Sequence, residues 1–200
     1  MLYVSLFFVL VQVACSGKDN APSQQEKTYP IVKIETRLGV MHFWLFDETP
    51  NHKAKFIELA NAKHYNQFTF NRVIRNFVIQ GGCPDSVQYF KDSPYLLEPE
   101  FVDSIKHVYG ALGMGRDDNP EKLSNACQFY VVNREMGLPN LDNNYMIFGK
   151  IIDGEDVLEK IEIEPTNAND KPKVAIPLDV GIVELSQQQL LDSFKFSIPE

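Results

Sequence analysis

Two amphipathic helix patterns stand far apart in this sequence, and the segments between them carry strand patterns. The first begins at Thr49 and Pro50, an N-cap residue followed by proline at the first helical position, and its apolar stripe ends near Lys63. The second is short, from residue 154 to residue 161. Helices do not alternate with strands as they would in βαβ units, so the pattern predicts a mainly β fold, a closed antiparallel sheet with helices capping its ends. The strand patterns cover residues 31–35, 40–46, 68–74, 77–80, 111–114, 129–132, 145–152 and 180–185.

The composition suits one soluble domain with one core, because 44% of the 200 residues are hydrophobic and 23% are charged. The formal net charge is −8, and lysine and arginine form no cluster. A protein that binds nucleic acid through the phosphate backbone needs a basic face. The sequence therefore predicts no nucleic-acid partner, and we also expect a monomer.

The first fifteen residues, MLYVSLFFVLVQVAC, contain no charged side chain. This run is shorter than the ~20 apolar residues of a membrane-spanning helix, and Ala14 precedes Cys15, so we expect a cleaved signal of the bacterial lipoprotein kind with Cys15 lipidated. A plain secretory signal and a buried N-terminal strand are the alternatives. The expected protein is exported to the bacterial cell envelope, in the periplasm, and meets a membrane only through this lipid anchor. The predicted organisation is a signal peptide over 1–15, a flexible tether over 16–29, a domain over 30–186 and a C-terminal tail over 187–200.

The two other cysteines are Cys83 and Cys127, and the chain contains no CxxC motif. The four histidines lie in no ligand-spaced cluster with cysteine or with each other, so we predict no metal site. An exported compartment would permit a disulfide between the two cysteines. Whether their Cα atoms lie within bridging distance is not decided by the sequence alone.

The stretch FNRVIRNFVIQGG, residues 70–82, has the pattern of two short strands that end on two glycines, yet it carries Arg72 and Gln80 among apolar residues. A guanidinium is costly to bury and is usually placed deliberately. Taken alone, an arginine at a strand start most often lies on a solvated face. The following segment, 81–107, has little periodicity, and a loop of that length predicts the border of a functional site.

Three blocks occur in order along the chain: FNRVIRNFVIQGG, then GALGMGRDDNPEKLSNACQFYVV, then LDNNYMIFGKI. Together they resemble the core blocks of the cyclophilin family of peptidyl-prolyl cis-trans isomerases, in its bacterial exported branch, and the resemblance covers residues 30–186. It implies an eight-stranded antiparallel closed β-barrel capped by two α-helices, with the active groove on the outer face of the barrel. It also implies that Arg72 is catalytic and that the substrate is bound by Phe77, Val78, Gln80, Gly115, Arg116, Gln128, Phe129, Leu141 and Tyr145.

Several positions depart from the usual pattern of that family. Asn71 stands where many members have histidine, and Val78 stands in place of methionine. Gly115 replaces a frequent alanine, Asn140 replaces a tryptophan of eukaryotic members, and Tyr145 replaces their pocket histidine. These departures bear on substrate preference and on sensitivity to the cyclic peptide inhibitor of the family.

The reaction that the resemblance implies is rotation about an X-Pro amide, which crosses a barrier of ~18–20 kcal/mol because rotation breaks amide resonance. No bond is made or cut, so no nucleophile, metal or cofactor is required. A permanently charged donor such as Arg72 stabilises the twisted amide, while a shallow apolar pocket holds the proline ring. The expected function is isomerisation of proline-containing polypeptides during the folding of exported proteins. The alternative is a non-catalytic chaperone or scaffold module that binds proline peptides.

Overall fold

A computed structural model describes residues 26–86 and 93–199, so the predicted signal peptide, Cys15 and most of the tether lie outside the described residues. The hairpin at the start of the domain and both predicted helices are confirmed. No helix in the described part of the chain is long and apolar enough to cross a membrane. The strands are β1 (Thr28–Thr36), β2 (Gly39–Leu45), β3 (Thr69–Ile74), β4 (Val78–Gly82), β5 (Leu96–Leu97), β6 (Ala111–Gly115), β7 (Ser124–Val132), β8 (Met146–Asp153) and β9 (Asp179–Ser186). The helices are α1 (Pro50–Asn61), α2 (Glu155–Glu162) and α3 (Gln187–Phe194), with 3₁₀ turns at His64–Gln67 and Pro139–Leu141.

The strands form one antiparallel sheet in the order β3-β4-β7-β6-β8-β2-β1-β9, and β5 pairs separately with β7. The predicted closed barrel is wrong in its closure, because this sheet is open and curled, with β3 and β9 at its two edges. Within the described residues, the edges meet at an isolated bridge between Thr69 and Pro177. Two backbone bonds flank that bridge, from the Phe70 N–H to the Ile176 carbonyl (3.0 Å) and from the Leu178 N–H to the Phe68 carbonyl (3.2 Å).

The backbone pairing between the two edges is short, because only the first few residues of β3 take part in it. The 3₁₀ turn His64–Gln67 ends just before this stretch. The pairing of β3 with β4 shifts register between Phe70 and Arg72, just after it. Past the register shift, the Val73 N–H donates to the Asp170 carbonyl at 2.8 Å, in a segment that lies outside β9.

The main core lies on one face of the sheet and is covered by α1 and α2. The Phe56 ring of α1 packs 4.8 Å from the Tyr65 ring and 5.7 Å from the Phe129 ring, measured between centroids. On α2 the buried residues are Val157, Leu158 and Ile161, the apolar face that the sequence predicts. Burial of large side chains such as these contributes ~1.5–3 kcal/mol each relative to exposure.

The first turn of α1 is capped from a distant loop. Thr49 occupies the N-cap position that the sequence predicts, but its side chain makes no capping hydrogen bond. The Glu100 carboxylate accepts instead from the backbone N–H groups of Asn51 (3.1 Å) and His52 (3.0 Å). A carboxylate is favourable here because the N-terminus of a helix carries positive partial charge. The segment 93–107 is therefore tied to the helix although it has little secondary structure of its own.

The residues that the sequence analysis treats as a tail begin with a packed helix. Ser186 and Gln189 form a capping box at the start of α3. Leu190 is fully buried against Ile31 and Trp44, on the face of the sheet away from the main core. Phe196 follows the helix and lies 5.3 Å from Trp44 between ring centroids. The C-terminal segment thus covers an apolar surface of β1 and β2.

Cys83 and Cys127 form a disulfide, with their Cα atoms 5.5 Å apart. The bond joins the chain just after β4 to the middle of β7, and the Cys83 N–H also donates to the Cys127 carbonyl at 2.9 Å. This answers the question of proximity that the sequence leaves open.

We predict that α3 stabilises the domain through Leu190. Leu190→Ala should lower the free energy of unfolding by about 2–4 kcal/mol, because it opens a cavity in a packed cluster. The neighbouring Leu191 is 44% exposed and is the matched control, so Leu191→Ala should change stability by less than about 0.5 kcal/mol. Denaturant unfolding measures both values. Equal effects of the two substitutions would contradict the packing of α3.

Candidate active site

A cavity of about 280 Å³ opens on the face of the sheet away from the main core. It collects residues from β3, β4, β6, β7 and the 3₁₀ turn Pro139–Leu141, together with residues of the flanking loops. All the site residues named from the sequence except Phe129 line this cavity, although they come from separate parts of the chain. The described lining consists of Arg72, Phe77, Val78, Gln80, Asp85, Gly115, Arg116, Gln128, Tyr130, Leu141 and Tyr145.

Arg72 reaches the cavity because β3 is irregular. In a regular strand, residues two apart point to the same face. The register shift between Phe70 and Arg72 separates them, so Phe70 is buried in the main core while Arg72 lines the cavity. Arg72 pairs across the strands with Gln80, and its Nη1 donates to the Gln80 Oε1 at 3.4 Å. The guanidinium is therefore held at the cavity wall and keeps donors for a ligand.

The floor of the cavity is apolar and belongs to a second hydrophobic cluster. Buried members of this cluster are Val78, Ala111, Tyr130, Val132, Leu138 and Ile147, and Phe77, Leu141 and Tyr145 pack against them from the partly exposed side. The rings of Tyr130 and Tyr145 meet edge to face with centroids 6.5 Å apart. Burial raises the pKa of the Tyr130 hydroxyl well above its ordinary value, so the floor carries no charge at neutral pH.

Phe129 is not part of the cavity, and its predicted place in the proline pocket is wrong. Its ring is fully buried in the main core, between Phe56 and Phe70. Side chains alternate between the two faces of a strand, so the outward neighbours of Phe129 on β7 are Gln128 and Tyr130. Tyr130 takes the pocket position that was assigned to Phe129. Residues two apart on a strand share a face, so the position of Gln128 on the cavity side would have predicted Tyr130 from the sequence.

Gln128 is fixed at one end of the cavity by two hydrogen bonds. Its Nε2 donates to the Cys83 carbonyl at 2.9 Å and to the Asp85 Oδ1 at 2.8 Å. Gly115 leaves the space for this arrangement, because a Cβ there would lie 2.9 Å from both Cγ and Cδ of Gln128. Asp85 is a lining residue that sequence reasoning missed, since it lies in the segment without periodicity and gives no signal of its own.

Arg116 also lines the cavity, with a largely buried side chain that is 7% exposed. Its Nη1 donates to the Asn144 carbonyl at 2.8 Å, and its guanidinium carbon lies 4.9 Å from the centre of the Tyr145 ring. These contacts hold Arg116 against the wall. Among the described residues, Arg72 has fewer protein partners than Arg116, and it stands beside the apolar floor.

The arrangement combines a permanent positive charge with a neutral apolar surface. Such a surface can bind a non-polar ring, while the guanidinium of Arg72 donates to polar atoms next to that ring. In the described residues, no group of three or more histidine, cysteine, aspartate or glutamate side chains is placed to hold a metal ion.

Residues 31–181 match the family described as cyclophilin type peptidyl-prolyl cis-trans isomerase/CLD. A curated relative is peptidyl-prolyl cis-trans isomerase-like 2 of Rhizopus delemar, 34% identical over 157 residues, which are 77% of this chain and 28% of that longer protein. Another is the "Putative peptidyl-prolyl cis-trans isomerase" of Staphylococcus saprophyticus, 31% identical, with 76% of this chain and 90% of the relative covered.

A solved structure is also similar to this fold. It is the crystal structure of a cyclophilin type peptidyl-prolyl cis-trans isomerase from Cryptosporidium parvum, determined in the presence of the dipeptide Ala-Pro. The TM-score is 0.68 at 30% sequence identity, and the match covers 78% of this chain and 99% of the other.

We predict that Gly115→Ala weakens binding of a proline peptide about three- to tenfold, because Gln128 must move and give up its hydrogen bonds to Cys83 and Asp85. Gly181→Ala is the matched control, since the nearest atom to a Cβ there is Lys63 Nζ at 3.6 Å. Titration of an Ala-Pro peptide followed by NMR measures both affinities. Parent-like affinity in Gly115→Ala would exclude Gln128 from the binding surface.

Proposed function

The chain belongs to the cyclophilin-type peptidyl-prolyl cis-trans isomerases, and we propose that it catalyses X-Pro rotation in the cavity where Arg72 stands beside the apolar floor. The observation that carries this proposal is the position of Arg72 on the opposite face of β3 from Phe70, at a cavity with an uncharged floor. A structural role alone gives no reason to hold a guanidinium at that place.

Arg72 acts on the amide nitrogen as the peptide bond twists. Rotation removes the nitrogen lone pair from resonance with the carbonyl, so the nitrogen becomes pyramidal and accepts a hydrogen bond. A guanidinium remains charged at every physiological pH and donates without losing a proton. Each 1.4 kcal/mol by which this donor favours the twisted amide over the planar one gives about tenfold in rate.

The other lining residues hold the substrate while the amide turns. The proline ring packs on an apolar surface, which fixes one side of the bond. This surface is formed by Phe77, Val78, Tyr130, Leu141 and Tyr145. Gln80 orients Arg72 through the hydrogen bond between them. Gln128 presents a side-chain amide, and the backbone of Gly115 and Arg116 runs beside the cavity, where an extended peptide can pair with it.

We further propose that this isomerase is a monomer that assists the folding of exported proteins from a lipid anchor at Cys15. The uncharged apolar run over residues 1–15 supports export, as does the pairing of Cys83 with Cys127, since disulfides persist in oxidising compartments. The segment that follows Cys15 is polar and has no periodicity, which suits a tether. The clients on this proposal are unfolded chains with X-Pro bonds.

Substitution of Arg72 tests the catalytic proposal. Arg72→Ala should lower kcat/KM for a short X-Pro peptide about a hundredfold or more, the typical loss of one transition-state donor, and Arg72→Lys should retain part of the activity. Arg75→Ala is the control, because Arg75 is exposed in the turn between β3 and β4. A cis-to-trans isomerisation assay measures all three. Activity of Arg72→Ala close to that of the parent would refute the proposed role.

The anchor proposal is tested at Cys15. The protein produced in a bacterial host should fractionate with membranes and show an acylated N-terminus by mass spectrometry. Cys15→Ser should abolish acylation and leave the protein outside the membrane fraction. An unmodified N-terminus in the parent would remove the support for a lipid anchor without touching the catalytic proposal.

A further inference from the structure

Behind the floor of the cavity, three side chains form a hydrogen-bonded chain that the isomerase mechanism does not use. His107 Nδ1 lies 2.8 Å from Asp142 Oδ1, and His107 Nε2 lies 2.9 Å from the Tyr130 hydroxyl. The backbone N–H of His107 donates to the same Asp142 oxygen at 2.9 Å. Tyr130 lines the cavity, so this chain links the proline pocket to two ionisable groups beneath it.

The fold leaves this chain little freedom. His107 is 3% exposed and Tyr130 is 6% exposed. Asp142 directly follows Leu141, another residue of the floor. The Tyr130 ring occupies the space above Gly113, where a Cβ would lie 2.5 Å from the Cε2 atom of the ring. The Tyr130 ring is therefore set in place by packing, and its hydroxyl lies 2.9 Å from Nε2 of His107, which is not among the described lining residues of the cavity.

The direction of each hydrogen bond follows from the chemistry of the partners. An ionised carboxylate only accepts, so His107 Nδ1 carries a proton and donates to Asp142. In the neutral imidazole, Nε2 is then the acceptor, and the Tyr130 hydroxyl donates to it. The hydroxyl hydrogen points away from the pocket, and the surface that meets the proline ring is apolar.

We propose that His107 and Asp142 are positioning residues that keep the Tyr130 hydroxyl hydrogen turned away from the bound proline ring. This inference rests on the proposed function, because it assigns the substrate side of the Tyr130 ring to proline. Loss of the acceptor at Nε2 turns the donor toward the pocket, where an apolar ring offers it no partner.

Protonation of His107 is one way to lose that acceptor. In the imidazolium both ring nitrogens donate, so the Tyr130 oxygen must accept and its hydrogen must turn elsewhere. Burial lowers the pKa of His107 below its ordinary value of 6.5, although Asp142 raises it in part through its hydrogen bond and charge, and Lys106 lowers it further. Burial alone would raise the pKa of Asp142, but the hydrogen bonds from His107 bring it below its ordinary value, so the carboxylate is ionised. Among the described residues, Lys106 Nζ lies 3.9 Å from Asp142 Oδ2 and the Tyr145 ring faces Tyr130.

A double-mutant cycle on peptide affinity tests the inference at pH 8. His107→Leu removes the acceptor and should raise the Kd of an Ala-Pro peptide about tenfold, because the hydroxyl hydrogen is left facing the ring. Tyr130→Phe removes the donor and keeps the ring, so it supplies the background in which the acceptor no longer matters. In that background His107→Leu should change the Kd by less than about twofold. A purely structural role of His107 would give no such rescue.

The pH dependence of peptide affinity gives a second readout, which compares the parent with Tyr130→Phe. The parent affinity should fall as the pH drops through the pKa of His107, followed by NMR of its imidazole, while the affinity of Tyr130→Phe should not follow that titration. His52→Leu is the control, because His52 is also buried and paired with a carboxylate, Glu100, away from the cavity. It should lower stability and leave the affinity profile unchanged.

The outcomes separate this inference from the proposed function. Failure of Tyr130→Phe to rescue His107→Leu, or an identical pH profile in the parent and Tyr130→Phe, would overturn the inference. A parent that binds the peptide without accelerating isomerisation would overturn the catalytic proposal alone, since the cycle measures affinity. A parent that binds no proline peptide would overturn both.

Discussion

Burial of strand β7 on both faces is the constraint on which the rest of the structure depends. All nine of its residues are buried. Phe129 and Val131 enter the main core, whereas Tyr130 and Val132 enter the cluster beneath the cavity. Because side chains alternate along a strand, a slip of one residue would exchange core and site completely. The register that packs the core therefore also positions the cavity floor, and the site has the rigidity of a protein interior.

The register shift in β3 has a different consequence, because it places the charge of Arg72 next to this apolar floor. Phe70 is needed inside, where its ring packs 5.8 Å from that of Phe129, and Arg72 is needed outside. One irregularity in the pairing with β4 permits both. The same irregularity follows directly after the bridge between Thr69 and Pro177, where the two edges of the sheet meet.

Much of this fold follows from local pattern in the sequence, and the exceptions have physical reasons. The hairpin, α1 and α2 are predictable because their apolar periodicity is strong, and Arg72 and Gln80 are conspicuous as polar residues within an apolar strand. Helix α3 is not, since Leu190 is its one buried residue and the burial of Leu190 depends on Trp44, far away in sequence. The assignment of Phe129 to the pocket was wrong because both faces of β7 are apolar, so the sequence shows no alternation there. Asp85 lies in a loop segment without periodicity, so the sequence gives no sign of its place in the cavity. The open edge of the sheet depends on backbone pairing, which also leaves no pattern in the sequence.

The most direct test of the account is a crystal structure of the protein with an Ala-Pro peptide bound. The account predicts the proline ring on the surface formed by Phe77, Leu141 and Tyr130, with the Arg72 guanidinium within hydrogen-bond distance of the prolyl amide. A peptide bound in the larger cavity beside Trp44 and Ile198, or bound in the predicted cavity with no contact to Arg72, would contradict it.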